Sequence, residues 1–229
     1  MLIKGLQKLT LLDYPERIAA TVFVGGCNFR CPFCHNASLA LAERAGGKAI
    51  DEEELFEYLR SRVGRLTGVC VSGGEPTLQP GLRDFIRRTK ALGYAVKLDT
   101  NGYRPEVLES LISEGLVDYV AMDIKSSREG YGRCAGLPGI DISLIERSVG
   151  ILMQGRVDWE FRTTVVRELH TEEDIRAIGE WLRGGEKFFL QTFRDSGDII
   201  GSGYSAHSDG TMKRMLEIIR EYVPGAELR

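Results

Sequence analysis

Six short apolar runs, each followed by a stretch with helical spacing, leave few folds open to this chain. The runs cover residues 19–24, 68–72, 95–99, 119–124, 157–166 and 187–192, and several end in glycine, aspartate or asparagine. Helices are expected over 51–62, 81–92, 105–114, 141–154, 171–183 and 211–222. The first carries Leu55, Phe56 and Leu59 on one face, with Glu52, Glu53 and Glu54 against its positive end. Pro105 sits in a first turn, where its missing N–H does no harm. Thr171 followed by Glu172, Glu173 and Asp174 is a capped, acid-first helix start. Strands separated by helices run parallel, so the expected class is α/β: a partial (β/α)6 TIM-like barrel, with an open doubly wound sheet as competitor. A chain of 229 residues supplies one such domain, taken here as residues 1–229. Barrels of this kind carry their chemistry at the C-terminal ends of the strands. Two connections are long, 36–50 and 195–209. The second is rich in Gly and Ser, and loops of that length are often functional or mobile.

With 30 basic and 33 acidic residues the formal charge is -3, without the basic excess of a general nucleic-acid binder. Arg60, Arg62 and Arg65 lie close together and read as a solvated helix end, with a local basic patch as the alternative. No apolar run approaches the ~18 residues of a membrane span. The N-terminal stretch lacks a signal-peptide layout, being interrupted by Asp13, Glu16 and Arg17. The expectation is a cytoplasmic protein whose thiols stay reduced. Its five cysteines then read as metal ligands or chemical groups before disulfides.

Three of them, Cys27, Cys31 and Cys34, follow the first strand with spacing C-x3-C-x2-C. A loop of this size can wrap three thiolates around one cubane. A structural zinc site and an ordinary 4Fe–4S site both want four ligands. Cys70 falls in an apolar strand pattern, as a small buried hydrophobe does, and Cys134 is far away in the chain. The spacing therefore points to a cluster with one iron open. A zinc knuckle completed by His35 or Cys134 is the competing reading. Phe29 and Phe33 are placed to shield such a cluster from water.

The C-x3-C-x2-C motif resembles the signature of the radical S-adenosylmethionine superfamily. The longer string GGCNFRCPFCHN resembles its glycyl-radical-enzyme activases. The N-terminal GLQKLTLLDYPERIAATVF is similar to the activating proteins of anaerobic ribonucleoside-triphosphate reductase. The resemblance covers nearly the whole chain. It implies a 4Fe–4S cluster on Cys27, Cys31 and Cys34, with S-adenosylmethionine chelated at the open iron. It implies cleavage to methionine and a 5′-deoxyadenosyl radical, which removes a Cα hydrogen from a glycine of a partner enzyme. It also implies flavodoxin or ferredoxin as electron donor. The hard chemistry belongs to the cofactors, and no side chain of the protein is assigned a catalytic role.

The resemblance extends to other strand ends. Gly74 and Glu75 match a GGE motif that holds the amino group of S-adenosylmethionine; a Gly-Gly turn before Pro76 is the plain alternative. Asp123, Ile124 and Lys125 match a D-x-K motif that contacts the cofactor, and Lys125 can face its carboxylate as a point charge. Phe33, Cys34 and His35 are expected along the adenine side, His35 through its backbone. Arg162 matches an arginine near the cofactor, with an ordinary ion pair as alternative. Asp99, the carbonyls of Thr100 and Ala121, and Asp123 are implied ligands of a monovalent cation, although Asp99 alone also reads as an Asx turn. Arg194 is an implied cofactor contact: it stands where pyruvate formate-lyase activases have a histidine that meets the cofactor, and Gln191-Thr192-Phe193-Arg194 fits the reductase-activase pattern instead.

His170, before a helix cap, reads as solvated. His207 lies in the Gly/Ser loop, and Trp159 and Trp181 fit a core strand and a helix face. The partner the resemblance implies is anaerobic ribonucleoside-triphosphate reductase. The alternatives are another glycyl radical enzyme of the pyruvate formate-lyase type, a radical enzyme with a different substrate, or a non-catalytic zinc-binding module.

Overall fold

The computed structural model describes residues 1–41 and 48–229, so the middle of the 36–50 connection lies outside the described residues. In chain order the elements are β1 (Ile3–Thr10), β2 (Ala19–Val24), α1 (Ala37–Ala40), α2 (Glu52–Ser61), β3 (Gly68–Gly73), α3 (Leu82–Ala91), β4 (Ala95–Thr100), α4 (Pro105–Ser113) and β5 (Tyr119–Asp123). They continue with α5 (Tyr131–Ala135), α6 (Ile142–Met153), β6 (Asp158–Val165), α7 (Glu172–Trp181), β7 (Phe188–Thr192), α8 (Asp209–Arg220) and β8 (Glu227–Leu228). The expected strands and long helices are all present, their ends shifted by a few residues at most.

The strands form one sheet in sequence order, β1 to β8. The pairs from β2 through β8 are parallel and β1 runs antiparallel to β2. Unbroken order with helical crossovers is barrel-like winding, whereas a doubly wound sheet reverses its order at a switch point. The barrel is partial, because β1 and β8 are edges and do not pair with each other. Neither edge strand was expected. β1 lacks both a β-branched run and clean alternation: Ile3 and Thr10 are buried, while most positions between them are half-buried or exposed. Its register slips between Ile3 and Gly5 and between Gln7 and Thr10, as suits an edge strand. β8 has two residues, too few to carry any period.

Period-two alternation divides each strand between two environments. Val69 and Val71, Val96 and Leu98, Val120 and Met122, and Phe161 and Val165 join the core cluster beneath the helices, with Leu55, Phe56, Leu59, Phe85 and Ile86. The alternate residues turn inward, and many are polar: Ser72, Asp99, Asp123, Arg162 and Thr164 line one cavity. The helices start where their caps dictate. Asp51 accepts from Glu53 N (2.9 Å) and Glu54 N (3.2 Å), and Thr171 and Asp174 form a reciprocal capping box.

Candidate active site at the strand ends

A cavity of about 450 Å³ opens at the C-terminal ends of the strands, within the size range of cofactor sites. Cys27, Cys31 and Cys34 all line it, with Phe29, Phe33 and His35 from the same loop. Phe29 and Phe33 are buried, and Phe29 packs against Tyr103 with ring centres 5.5 Å apart. The loop is held from several sides. Arg30 N donates to Ala135 O (2.9 Å) at the end of α5, and Cys34 N donates to Cys31 O (3.0 Å). Gly201 N donates to Pro32 O (2.8 Å) and Ser38 donates to Asp198 Oδ2 (2.7 Å), so the Gly/Ser-rich connection packs against the cysteine loop.

The thiols are partly or wholly withdrawn from water. Burial pushes Cys27 up to about 11 and Cys31 up to about 12, and raises Cys34 as well. Neutral thiols in a dry pocket release protons only when a metal replaces them. Cys70 and Cys134 are both buried outside this cavity. Cys134 Sγ lies 3.9 Å from His170 Nε2 and is not placed to complete a zinc site with the other three. Among the described residues, no three His, Cys, Asp or Glu side chains are grouped to hold a single metal ion. Three thiols line the chamber, one short of the four ligands a structural zinc site takes, and that count suits a cluster with an open iron.

Opposite the loop stands a row of charges. Arg162 Nε donates to Asp123 Oδ1 (2.9 Å), and Arg162 Nη1 lies 3.6 Å from Asp99 Oδ2. Lys125 Nζ donates to Asp123 Oδ2 (2.9 Å), and Lys97 Nζ donates to Asp99 Oδ1. Burial alone raises both carboxyls, but Arg162 with Lys125 holds Asp123 well below its usual range, and Arg162 with Lys97 holds Asp99 below it. Burial also opposes the charge on Lys125 and Arg162, yet their carboxylate partners keep both firmly protonated. The ion pairs of Arg162 are thus strand-to-strand, across the inner wall of the barrel.

The glycines after β2 and β3 let two backbones meet. Gly73 has φ +117 and a Cβ there lies 2.4 Å from Val24 O at the end of β2; a Cβ on Gly74 lies 2.0 Å from Gly26 O, so a side chain at Gly74 moves the start of the cysteine loop.

Several sequence expectations change here. Glu75 does not line the cavity. It is 1% exposed, and its carboxylate accepts from Thr77 N (3.0 Å), Thr77 Oγ1 (2.5 Å), Thr100 Oγ1 (2.8 Å) and Asn101 N (2.7 Å). The side chain is a brace between the tips of β3 and β4, with Oε1 taking three of these bonds and Oε2 the amide of Asn101. Ile124 is fully buried in the core, and its carbonyl accepts from Thr163 Oγ1 (2.7 Å). Ala121 is buried within the ladder, between Asp99 of β4 and Glu160 of β6. Arg194 is exposed and off the cavity, although Phe193 beside it packs on His35 with ring centres 5.5 Å apart. The Asx turn belongs to Asn101, whose Oδ1 accepts from Tyr103 N (3.0 Å), not to Asp99.

His170 is buried rather than solvated. Its Nδ1 accepts from Val166 N (3.0 Å), so Nε2 carries the proton and donates to Lys125 O (2.8 Å). Its ring meets Phe33 edge-on. Sequence reasoning missed Lys97, Ser72 and Asn101, though Lys97 stands out in retrospect as a charge two residues before Asp99 on an apolar strand. Asn101 Nδ2 donates to Asn28 Oδ1 (2.8 Å) and lies 3.8 Å from Cys27 Sγ, tying the β4 tip to the cysteine loop.

The Radical SAM superfamily matches this chain over residues 21–182. The chain belongs to that superfamily. A Methanocaldococcus jannaschii protein, named as a candidate glycyl-radical enzyme activating enzyme, is 32% identical over 100% of this chain and 95% of its own length. The pyruvate formate-lyase 1-activating enzyme of Escherichia coli K12 is 34% identical over 96% of this chain and 95% of its own. Both relatives put this radical SAM enzyme in the glycyl-radical activase group. Streptococcus suis SuiB bound to S-adenosylmethionine superimposes with a TM-score of 0.64 at 15% identity, covering 91% of this chain and 51% of SuiB, a likeness of fold alone. Among the described residues no helix is long and apolar enough to cross a membrane.

Proposed function

We propose that the protein activates anaerobic ribonucleoside-triphosphate reductase by generating a radical on one of its glycines. The observation that carries the site assignment is the convergence of Cys27, Cys31 and Cys34 on one cavity whose far wall is the Asp123–Lys125–Arg162 cluster. The three cysteines are the residues to hold a 4Fe–4S cluster, and the buried cations of the far wall suit the carboxylate of S-adenosylmethionine. When bound, that pair supplies the electron and the 5′-deoxyadenosyl radical that removes a glycine Cα hydrogen.

The chain's own work is placement and exclusion of water. Phe29 and Phe33 cover the cysteine side. Gly73 and Gly74, which line the cavity, let the end of β3 pack directly on the backbone of Val24 and Gly26 that leads into the cysteine loop. Lys125 is aimed by Asp123 from one end and by the His170 contact to its carbonyl from the other. The gap between the two edge strands suits a protein substrate, since a protruding glycine loop needs an open mouth.

The choice of partner rests on the N-terminal match and the Gln191–Arg194 pattern. The Escherichia coli relative favours a second reading, pyruvate formate-lyase as partner; Arg194, the residue that distinguishes the two patterns, is exposed and does not line the cavity. The test is anaerobic. Reconstituted protein is expected to be brown, to contain iron and sulfide, and to form 5′-deoxyadenosine with dithionite or with reduced flavodoxin or ferredoxin. Adding the reductase is expected to give a glycyl doublet by electron paramagnetic resonance. Cofactor cleavage without a doublet on the reductase, but with one on pyruvate formate-lyase, replaces the partner. A colourless zinc protein rejects the whole proposal.

A further inference from the structure

The monovalent cation implied by the family resemblance does not fit the donor set in this barrel. Asp99 Oδ1 is taken by Lys97 Nζ, and Asp99 Oδ2 accepts from Ser72 Oγ (2.9 Å) with Arg162 Nη1 at 3.6 Å. Asp123 Oδ1 is taken by Arg162 Nε and Oδ2 by Lys125 Nζ, each at 2.9 Å. All four carboxylate oxygens therefore already face a donor. Two carboxylates also face three fixed positive charges, and an alkali ion adds a fourth in surroundings that screen charge poorly. Ala121, one of the two implied carbonyl donors, lies inside the ladder between β4 and β6.

Lys97 is the member of this group that needs an explanation. It is 2% exposed, in the middle of β4, with Cys70 of β3 and Tyr119 of β5 as its ladder neighbours. A buried ammonium is costly unless it meets a carboxylate. Asp99 is its ion-pair partner, and the Tyr119 ring centre lies 6.0 Å from its Nζ. Glu160, which shares Tyr119 with Lys97, is committed elsewhere: to Arg229 (3.0 and 3.1 Å) and to Tyr119 Oη (2.9 Å). Removing Lys97 leaves Asp99 with a hydroxyl and one distant guanidinium.

We infer that Lys97 is the built-in monovalent cation of this site: its ammonium neutralises Asp99, frees Arg162 to orient Asp123, and makes S-adenosylmethionine binding independent of K⁺ and Na⁺. This rests on the cavity being the S-adenosylmethionine site. Lys97 is a positioning residue, acting on the cofactor wall through Asp99 and Arg162.

The test is calorimetric binding of S-adenosylmethionine to the cluster-loaded protein in KCl, NaCl and choline chloride at matched ionic strength. The native protein is expected to bind equally, within about twofold, in all three salts. Lys97→Met is expected to bind about tenfold more weakly in choline and to recover in KCl or NaCl. Lys97→Gln, which keeps a donor to Asp99 but not the charge, is expected to behave likewise and serves if the methionine variant does not fold. Rescue by a small cation is a signature that mere loss of packing does not produce. The thermal midpoint of each protein in KCl and in choline, without cofactor, reads the same pair. It is expected to be unchanged for the native chain and raised by KCl for the variants. Native protein that needs K⁺ or Na⁺, or variants indifferent to them, overturns the inference. If nothing binds S-adenosylmethionine in any salt, the proposed function fails, and the thermal arm still decides Lys97.

Discussion

Replacing Glu75 by alanine, and separately by glutamine, probes the brace on which the cavity depends. The carboxylate is buried and receives two backbone N–H groups, from Thr77 and Asn101, and two hydroxyls, from Thr77 and Thr100. The hydroxyls can rotate to other acceptors, but the amides are fixed by the backbone. An orphaned buried donor costs about 1–3 kcal/mol. Alanine strands both amides, for about 4 kcal/mol at mid-range. Glutamine keeps one acceptor oxygen and sets an N–H against an N–H at the other, for about 2 kcal/mol. At about 3 °C per kcal/mol in a chain of this length, the midpoints fall by about 12 °C and about 6 °C. Differential scanning calorimetry of the metal-free protein measures both. Because Asn101 also holds Asn28, and lies beside Cys27, iron content after reconstitution is expected to fall with the midpoint. An alanine variant that melts within about 2 °C of the native protein refutes the brace, since a loss that small is under one ordinary hydrogen bond.

Replacing any one of Cys27, Cys31 and Cys34 by alanine is expected to leave the circular dichroism intact while abolishing the brown colour and 5′-deoxyadenosine formation; a variant that keeps its iron and turnover contradicts the ligand set. Gly74→Ala puts a methyl group 2.0 Å from Gly26 O, so cofactor affinity is expected to fall by at least about tenfold through displacement of the cysteine loop, and unchanged affinity by calorimetry counts against it. Burial holds His170 below its ordinary value in the fold, whereas an unfolded histidine titrates near about 6.5. The unfolded chain then takes up the extra proton, and stability contributed by neutral His170 is present above about pH 6.5 and is lost as pH falls toward the folded value. His170→Gln is expected to lose less stability than the native protein between about pH 7 and 5 in urea titrations, and parallel losses argue that another group is responsible.

The chain alone determined the elements and the cysteine loop, because both are written in short-range pattern. Period-two strands, caps such as Asp51 and Thr171, and the spacing of Cys27, Cys31 and Cys34 need only neighbours within one turn or one loop. Alternation on β4 puts Val96 and Leu98 on one face and Lys97 and Asp99 on the other. It could not say what stood opposite them. Arg162 reaching Asp123 from 39 residues away and Glu75 taking the amide of Asn101 from 26 residues away depend on how the barrel curves, whereas Lys97 meets Asp99 along a single strand. The same curvature withdrew Glu75 and Ile124 from the cavity, turned Arg194 outward and buried His170. Strand β1 escaped notice because an edge strand buries few of its side chains and so writes a weak period. A polar residue's role is set by the partner that closes its hydrogen bonds, and in this barrel those partners come from neighbouring strands brought together only when the sheet winds around the site.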